Sequence, residues 1–195
     1  MDAAREVSRR AFLVTATLEG ALGVLAVVLA HATDVRLLGD TSHAGRDALV
    51  GVALALPLLA GLLALRRSRL GPFVRLRTIV DERIRPLFAA CTWDEIVALA
   101  CAAGIGEELL FRGFLQPWLA RSFGAAVAIV VTSAVFGALH ALTRTYAILA
   151  ALVAALLGVA QLATGGVVAP AVAHAVYDAA AFAVILRGAR PAEPA

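Results

Sequence analysis

Six apolar runs, each about 20 residues long, constrain the fold of this chain more than any other feature. They cover residues 11–32, 47–65, 93–119, 124–142, 146–164 and 167–186. A helix of about 20 residues crosses the roughly 30 Å of hydrocarbon in a bilayer. The last three runs are joined by very short turns, so their helices must be antiparallel neighbours. We therefore predict an all-α, polytopic transmembrane helical bundle with about six spans.

The composition favours the same class. Of the 195 residues, 62% are hydrophobic and 16% are charged, against about 25% charged residues in an ordinary soluble domain. One core in so short a chain cannot hide that much apolar surface from water. The composition therefore argues against a disordered chain, a nucleic-acid binder and a disulfide-stapled secreted module. The expected partner is the lipid bilayer. We interpret Cys91 and Cys101 as small buried hydrophobic residues.

The arginines predict the orientation, because positive residues favour cytoplasmic loops. All 17 basic residues are Arg. With both termini inside, thirteen lie on the cytoplasmic side and only Arg36, Arg46 and Arg121 lie outside. Arginine without lysine, together with the high alanine content, indicates a bacterial protein. We expect a multi-pass protein of the bacterial inner membrane with both termini in the cytoplasm.

The first run has a second interpretation, because a cleaved signal peptide also carries arginines before an apolar stretch. This run is longer than the 7–15 residues typical of such a stretch, so we expect a retained span. In the basic segment 70–91, apolar residues recur at helical spacing, which predicts an amphipathic helix in the headgroup region. A solvated linker docked on the bundle is the alternative. Thr92 followed by Glu95 indicates a capping box that starts the third span.

These features divide the chain into three parts. Residues 1–92 hold two spans and the basic linker, residues 93–186 form a core of four spans, and residues 187–195 form a disordered cytoplasmic tail.

Charged and polar side chains interrupt three spans of the core. They are Glu107, Glu108 and Arg112 in the third span, His140 in the fourth, and His174 and Asp178 in the sixth. A charge at the bilayer centre costs about 2.5–3.5 kcal/mol, so four unpaired charges would cost on the order of 10–14 kcal/mol. We therefore expect these side chains to face one another or a wet cavity inside the bundle.

Helical spacing predicts how they pair. Glu108 and Arg112 are four residues apart and share a helix face, whereas Glu107 is rotated by about 100° and is left for another partner. His174 and Asp178 are also four residues apart, on one stripe of the sixth helix. One braced carboxylate, one free carboxylate and two imidazoles form a set that can activate water. Interhelical polar clamps are the structural alternative.

Three ordered motifs in this core resemble those of the CPBP family, which comprises CAAX-prenyl-protease-like and bacteriocin-processing intramembrane endopeptidases and is also called the Abi family. The motifs are Glu107-Glu108-x-x-x-Arg112, Phe136-x-x-x-His140 and His174-x-x-x-Asp178. The resemblance covers about half of the chain. It implies an intramembrane endopeptidase that hydrolyses a peptide bond of a membrane-associated protein or peptide, prenylated in the CAAX-like case.

The resemblance also implies a role for four of these side chains. Glu107 would be the general base that activates a water for attack on a peptide carbonyl. His140 would hold or polarise that water, or ligate a metal. Glu108 and Arg112 would brace the site.

The remaining two roles follow from the same resemblance. His174 and Asp178 would stabilise the oxyanion or complete a metal site, and Asp178 stands where many family members carry Asn. Family members are named both as metalloproteases and as metal-free glutamate-dependent proteases. Glu107, His140 and His174 are the candidate ligands of a divalent metal such as zinc, since two His and one Glu suffice for a catalytic zinc with an open position.

Two other functions stay open at this point. Some relatives are associated with bacteriocin immunity or abortive infection, which leaves a non-enzymatic immunity or partner-binding protein as the alternative. Buried Glu, His and Asp also build proton pathways. Glu19, in the first span, has no obvious partner in the sequence.

Overall fold

The structure, a computed structural model, describes residues 3–187, and every regular element in this part of the chain is a helix. Its helices are α1 (Ala3–Ala32), α2 (Ala44–Arg67), α3 (Gly71–Ile79), α4 (Arg85–Phe88), α5 (Trp93–Glu108), α6 (Gln116–Leu139), α7 (Arg144–Thr164) and α8 (Val168–Arg187). Two π-helical segments, Val80–Ile84 and Leu109–Leu115, join α3 to α4 and α5 to α6. The predicted all-α bundle is confirmed. Of the predicted tail, Arg187 ends α8, and residues 188–195 lie outside the described residues.

Five helices are long and apolar enough to cross a membrane: Ala3–Ala32, Ala44–Arg67, Trp93–Leu139, Arg144–Thr164 and Val168–Arg187. The chain is thus a multi-pass membrane protein by length and composition of its helices. The prediction of about six separate spans differs from this division, because the predicted third and fourth spans lie in one continuous segment of 47 residues.

That long segment reverses direction at Gly124, whose φ of 78° and ψ of 161° are not helical. In a straight helix, Phe111 and Phe136 would lie about 37 Å apart at 1.5 Å per residue. Their ring centroids are 5.1 Å apart, so the chain has folded back on itself. Residues 3–187 therefore make six helical passes, and the third and fourth passes meet at Gly124 without an intervening loop.

We expect Gly124→Ala to lower the free energy of unfolding by about 1–2 kcal/mol, because a Cβ is disfavoured at positive φ. No atom lies within 4 Å of the position that this Cβ would take, so the backbone alone causes the loss. Gly61→Ala is the matched control, since its Cβ also meets nothing within 4 Å inside the regular helix α2. The control should gain about 0.5–1 kcal/mol. Denaturant titration of both variants in detergent micelles measures the change in the free energy of unfolding. Equal changes in the two variants would contradict the positive φ at Gly124.

One end of the bundle is closed by contacts between its three connections. The Arg121 guanidinium, just before the reversal, donates to the backbone oxygens of Thr33 and Asp34, which follow α1. The Asp40 amide donates to the carbonyl oxygen of Gly165 at 2.8 Å. The connections after the first, third and fifth passes therefore lie together, as alternating passes require.

The opposite end gathers the N-terminal residues and the basic segment. Arg5 donates two hydrogen bonds to the Glu95 carboxylate, at 2.6 and 2.8 Å, and a third to the carbonyl oxygen of Ala90 at 2.7 Å. The Ala90 amide donates to Ser8 Oγ at 3.1 Å. These contacts fix the start of α1 against the start of α5.

The basic segment is helical, as predicted, although a π-helical turn separates α3 from α4. Its Phe88 ring packs edge-on against Phe182 of α8, with centroids 5.2 Å apart, and the predicted capping box of Thr92 and Glu95 is present. Its location in the headgroup region stays a prediction. Cys101 is exposed, so the prediction that it is buried was wrong: its face of α5 turns away from the other helices.

Close backbone contacts place α5 between α1 and α8. A Cβ on Gly106 would lie 2.2 Å from the carbonyl oxygen of Glu19 in α1. A Cβ on Gly104 would lie 2.8 Å from the carbonyl oxygen of Ala171 in α8. Only glycine allows both approaches, and they bring the next residues of α5, Glu107 and Glu108, into the interior of the bundle.

Candidate active site

Glu107 lies between two imidazoles that come from different helices. Its Oε1 is 3.6 Å from Nε2 of His140, and its Oε2 is 3.7 Å from Nε2 of His174. Its Oε2 is buried and has no hydrogen-bond partner within residues 3–187. The carboxylate and the two ring nitrogens thus surround one small polar space, as the cost of burying charges in lipid predicted.

The neighbouring pair, Glu108 and Arg112, is completely buried. Arg112 Nη1 donates to Glu108 Oε1 at 2.8 Å, and both side chains have 0% exposure. The Arg112 guanidinium also donates to the carbonyl oxygen of Ala154 in α7 at 2.8 Å. It lies 5.0 Å from the centroid of the Phe136 ring, in cation–π range. The predicted pair therefore also links α5 to α7 and α6.

Both histidines are held through Nδ1. His140 Nδ1 donates to the carbonyl oxygen of Phe136 at 2.9 Å, and His174 Nδ1 is 2.8 Å from Glu108 Oε1. Because a carbonyl oxygen only accepts, the His140 contact requires a hydrogen on Nδ1. A neutral His140 then has the lone pair on Nε2, the atom that faces Glu107. The Phe136 ring stacks on His140 with centroids 4.2 Å apart and fixes its plane.

His140 and Asp178 sit at the more open side of the site. His140 directly follows the last residue of α6 and is not within a span, with φ of −95° and ψ of 18°. The pass from Gly124 to this point has about 16 residues and a length of about 24 Å, short of the roughly 30 Å of hydrocarbon. Asp178 Oδ2 is 3.5 Å from His174 Nε2, and its side chain is 26% exposed.

The predicted metal ligands are Glu107, His140 and His174. Within residues 3–187, no group of three or more His, Cys, Asp or Glu side chains is arranged to hold a metal ion. The candidate ligands Glu107, His140 and His174 nevertheless converge, with the Glu107 oxygens 3.6 and 3.7 Å from the two ring nitrogens.

Residues 90–180 match the family described as Type II CAAX prenyl endopeptidase Rce1-like. Residues 90–180 belong to the CAAX-protease-like family. This CAAX-protease-like region contains all six side chains of the predicted site, namely Glu107, Glu108, Arg112, His140, His174 and Asp178. Comparisons with curated proteins and with solved structures gave no match. At the level of the family, the match supports a CAAX-type intramembrane protease, and the apolar helices fit a bilayer and a membrane-associated substrate.

The sequence did not indicate three features around this site. The Ala154 carbonyl is a backbone acceptor and carries no sequence signal. The π-helical segment Leu109–Leu115 inserts an extra residue per turn beside the site, where such segments are frequent. Glu19 lies close enough to Glu107 and His174 to interact electrostatically with both. The only signal for Glu19 was a charge in an apolar run.

Proposed function

We propose that this protein is an intramembrane endopeptidase in which Glu107 and two histidines activate a water to hydrolyse a peptide bond of a membrane-embedded protein or peptide. The observation that carries the proposal is the position of the Glu107 carboxylate, 3.6 and 3.7 Å from Nε2 of His140 and His174. Polar groups slightly too far apart for a direct hydrogen bond are commonly bridged by water.

The first step uses the acceptors that face this space. A water between Glu107 and His140 donates one hydrogen to the carboxylate and the other to the Nε2 lone pair. Its own lone pair then points away from both groups, toward a substrate carbonyl carbon. As the water oxygen bonds to that carbon, its proton passes to Glu107, which acts as the general base.

The second step breaks the peptide bond. His174, with a hydrogen on Nε2, donates to the carbonyl oxygen from the attack onward, when negative charge develops there, and the C=O bond re-forms from that oxygen in this second step. The positive charge of the His174 ring is balanced by two carboxylates. Glu108 Oε1 lies 2.8 Å from Nδ1, and Asp178 Oδ2 lies 3.5 Å from Nε2. Glu107 then returns its proton to the leaving nitrogen as the C–N bond breaks. One water is consumed, and an acid and an amine are released.

The roles of Glu108 and Arg112 in this proposal are positional. Arg112 holds Glu108, and Glu108 holds the His174 ring by its Nδ1. The hydrogen bond from Arg112 to the carbonyl oxygen of Ala154 ties the arrangement to α7. The pair therefore sets the orientation of His174 without touching the substrate.

We also propose the orientation expected from the arginines. The end of the bundle that holds Arg5 and the basic segment would lie in the cytoplasm of a bacterial cell, with the protein in the inner membrane. The positive-inside rule supports this choice. Labelling of single cysteines introduced at each end, in intact cells and in lysed cells, tests it.

Purified protein reconstituted in lipid vesicles with a panel of fluorescent membrane-embedded peptides tests the function, with fragments identified by mass spectrometry. We expect cleavage by the wild type and about 10²–10⁴-fold slower cleavage by His140→Ala. His43→Ala is the matched control, because His43 is exposed and lies outside the site. Cleavage that survives His140→Ala would contradict the proposal, as would the absence of cleavage of every peptide.

Two further treatments separate the alternatives. Cleavage should persist after dialysis against a chelator. If the chelator abolishes cleavage and added zinc restores it, a water activated without a metal is contradicted. A protein that cleaves no peptide but protects cells from a bacteriocin would instead support the immunity function.

A further inference from the structure

Glu19 is a buried carboxyl that the proposed reaction does not use. It lies in the middle of the apolar helix α1 and is 7% exposed. Its Oε2 is buried and has no hydrogen-bond partner in the part of the chain that the structure describes. An ionisable side chain at membrane depth is costly and marks a function when no fold contact explains it.

The position of Glu19 relates it to the catalytic cluster. Its backbone oxygen lies against Gly106, directly before Glu107. Its carboxyl is close enough to His174 and Asp178 to interact electrostatically with both. Glu19 is also outside the CAAX-protease-like region, which begins at residue 90.

Glu19 also borders a groove between α1 and α5 with a volume of about 460 Å³. Its walls include Glu19, Gly20, Gly23, Ala102, Ile105 and Gly106. Apart from Glu19, all of the lining side chains are apolar. Val24 and Val27 line the groove and are 65% and 53% exposed, so it opens on the outer surface of the bundle, where lipid would lie. The volume is in the range of ligand sites.

We propose that this groove binds an extended apolar segment of a membrane-embedded peptide beside its scissile bond, and that the Glu19 carboxyl accepts a hydrogen bond from a backbone N–H of that segment. This inference rests on the proposed endopeptidase function. An extended peptide in hydrocarbon has unpaired N–H groups, which are costly there. Glu19 supplies the missing acceptor. An isoprenyl or acyl chain has no donor and would leave Glu19 unpaired, so the groove favours the peptide as its occupant.

The groove can be filled without disturbing the fold. A Cβ on Gly20 would meet nothing within 4 Å, so Gly20→Leu places its side chain in open space. Gly61→Leu in α2 is the matched control, because its Cβ also meets nothing within 4 Å. In phosphatidylcholine vesicles with a synthetic leucine-rich transmembrane peptide, Gly20→Leu should raise KM about tenfold and leave kcat unchanged. The control should keep both values.

Glu19 variants test the hydrogen bond itself. Glu19→Leu should raise KM for the same peptide about tenfold or more, because it removes the acceptor. Glu19→Gln keeps an amide oxygen that accepts, so it should restore a KM near that of the wild type. Equal KM values for the leucine and glutamine variants would overturn the role of Glu19 as an acceptor. A fall in kcat in both variants, with KM unchanged, would overturn it as well.

A binding measurement separates this inference from the proposed function. In a Glu107→Gln background, a photocrosslinking residue replaces Val24, and the leucine-rich peptide is added in vesicles. We expect capture of the peptide, and loss of capture when Gly20→Leu is added. Capture that Gly20→Leu leaves unchanged, or no capture, overturns the groove. Capture of a farnesyl probe in place of the peptide overturns the choice of occupant. If the Glu107→Gln protein captures the peptide but the wild type cleaves none, the proposed endopeptidase function is contradicted and the groove is not.

Discussion

Glu107→Gln is expected to slow peptide cleavage by about 10²–10⁴-fold while the protein remains folded. The amide has nearly the shape of the carboxylate but cannot take a proton from water or return one to the leaving nitrogen. Glu107 Oε2 has no hydrogen-bond partner within residues 3–187, so the substitution removes no direct contact on that side. Rates with the membrane-embedded peptide, measured at saturating peptide, give the change in kcat.

Glu82→Gln is the control for this experiment, because Glu82 is exposed in the basic segment. It should cleave at the rate of the wild type. Both variants should unfold at the temperature of the wild type in the same detergent. A Glu107→Gln protein that cleaves within a few-fold of the wild-type rate would show that another group activates the water.

Arg112→Met is expected to have the largest effect on stability, a loss of about 3–5 kcal/mol, because it leaves the buried Glu108 carboxylate without its main partner. The two side chains have 0% exposure, so water cannot replace the guanidinium. The variant also removes the hydrogen bond to the carbonyl oxygen of Ala154. Denaturant titration in micelles measures the free energy of unfolding.

Two comparisons show whether the loss comes from the buried charge. Adding Glu108→Gln to Arg112→Met should recover part of the stability, because the unpaired charge is then gone. Arg10→Met is the matched control: Arg10 pairs with Glu6 at the same spacing of four residues, but these side chains are 77% and 50% exposed. It should cost no more than about 1 kcal/mol. A double variant that is less stable than Arg112→Met would contradict the account.

The bundle and the cluster could be predicted from the sequence because both follow from one energetic rule. Residues that are costly in lipid must turn inward, and inward-facing residues of neighbouring helices must meet. The rule correctly placed Glu107 beside His140 and His174, and it paired Glu108 with Arg112. The catalytic roles of these residues stay predictions.

The sequence was less informative where backbone geometry decides the structure. The reversal falls at Gly124, where the predicted fourth span begins, but its sharpness depends on a φ of 78° that hydrophobicity does not indicate. The pass from Gly124 to Leu139 is short, so α6 ends just before His140. The length of that pass depends on the position of the reversal at Gly124. Glu19 looked isolated because its relation to the site depends on Gly106, whose missing Cβ lets two backbones touch. Such contacts leave no pattern in hydrophobicity.

The anchoring of α1 limits how a substrate can be admitted. This helix is fastened near its start by Arg5 and Glu95 and just beyond its end by Arg121, and its middle rests on Gly106. The groove between α1 and α5 is therefore bounded by a helix that is held at three points. A helix with its side chains is about 10–12 Å across. If the proposed groove holds its substrate in an extended form, a helical substrate must unwind locally to bind there, and we expect helix-breaking residues near the scissile bond to favour cleavage.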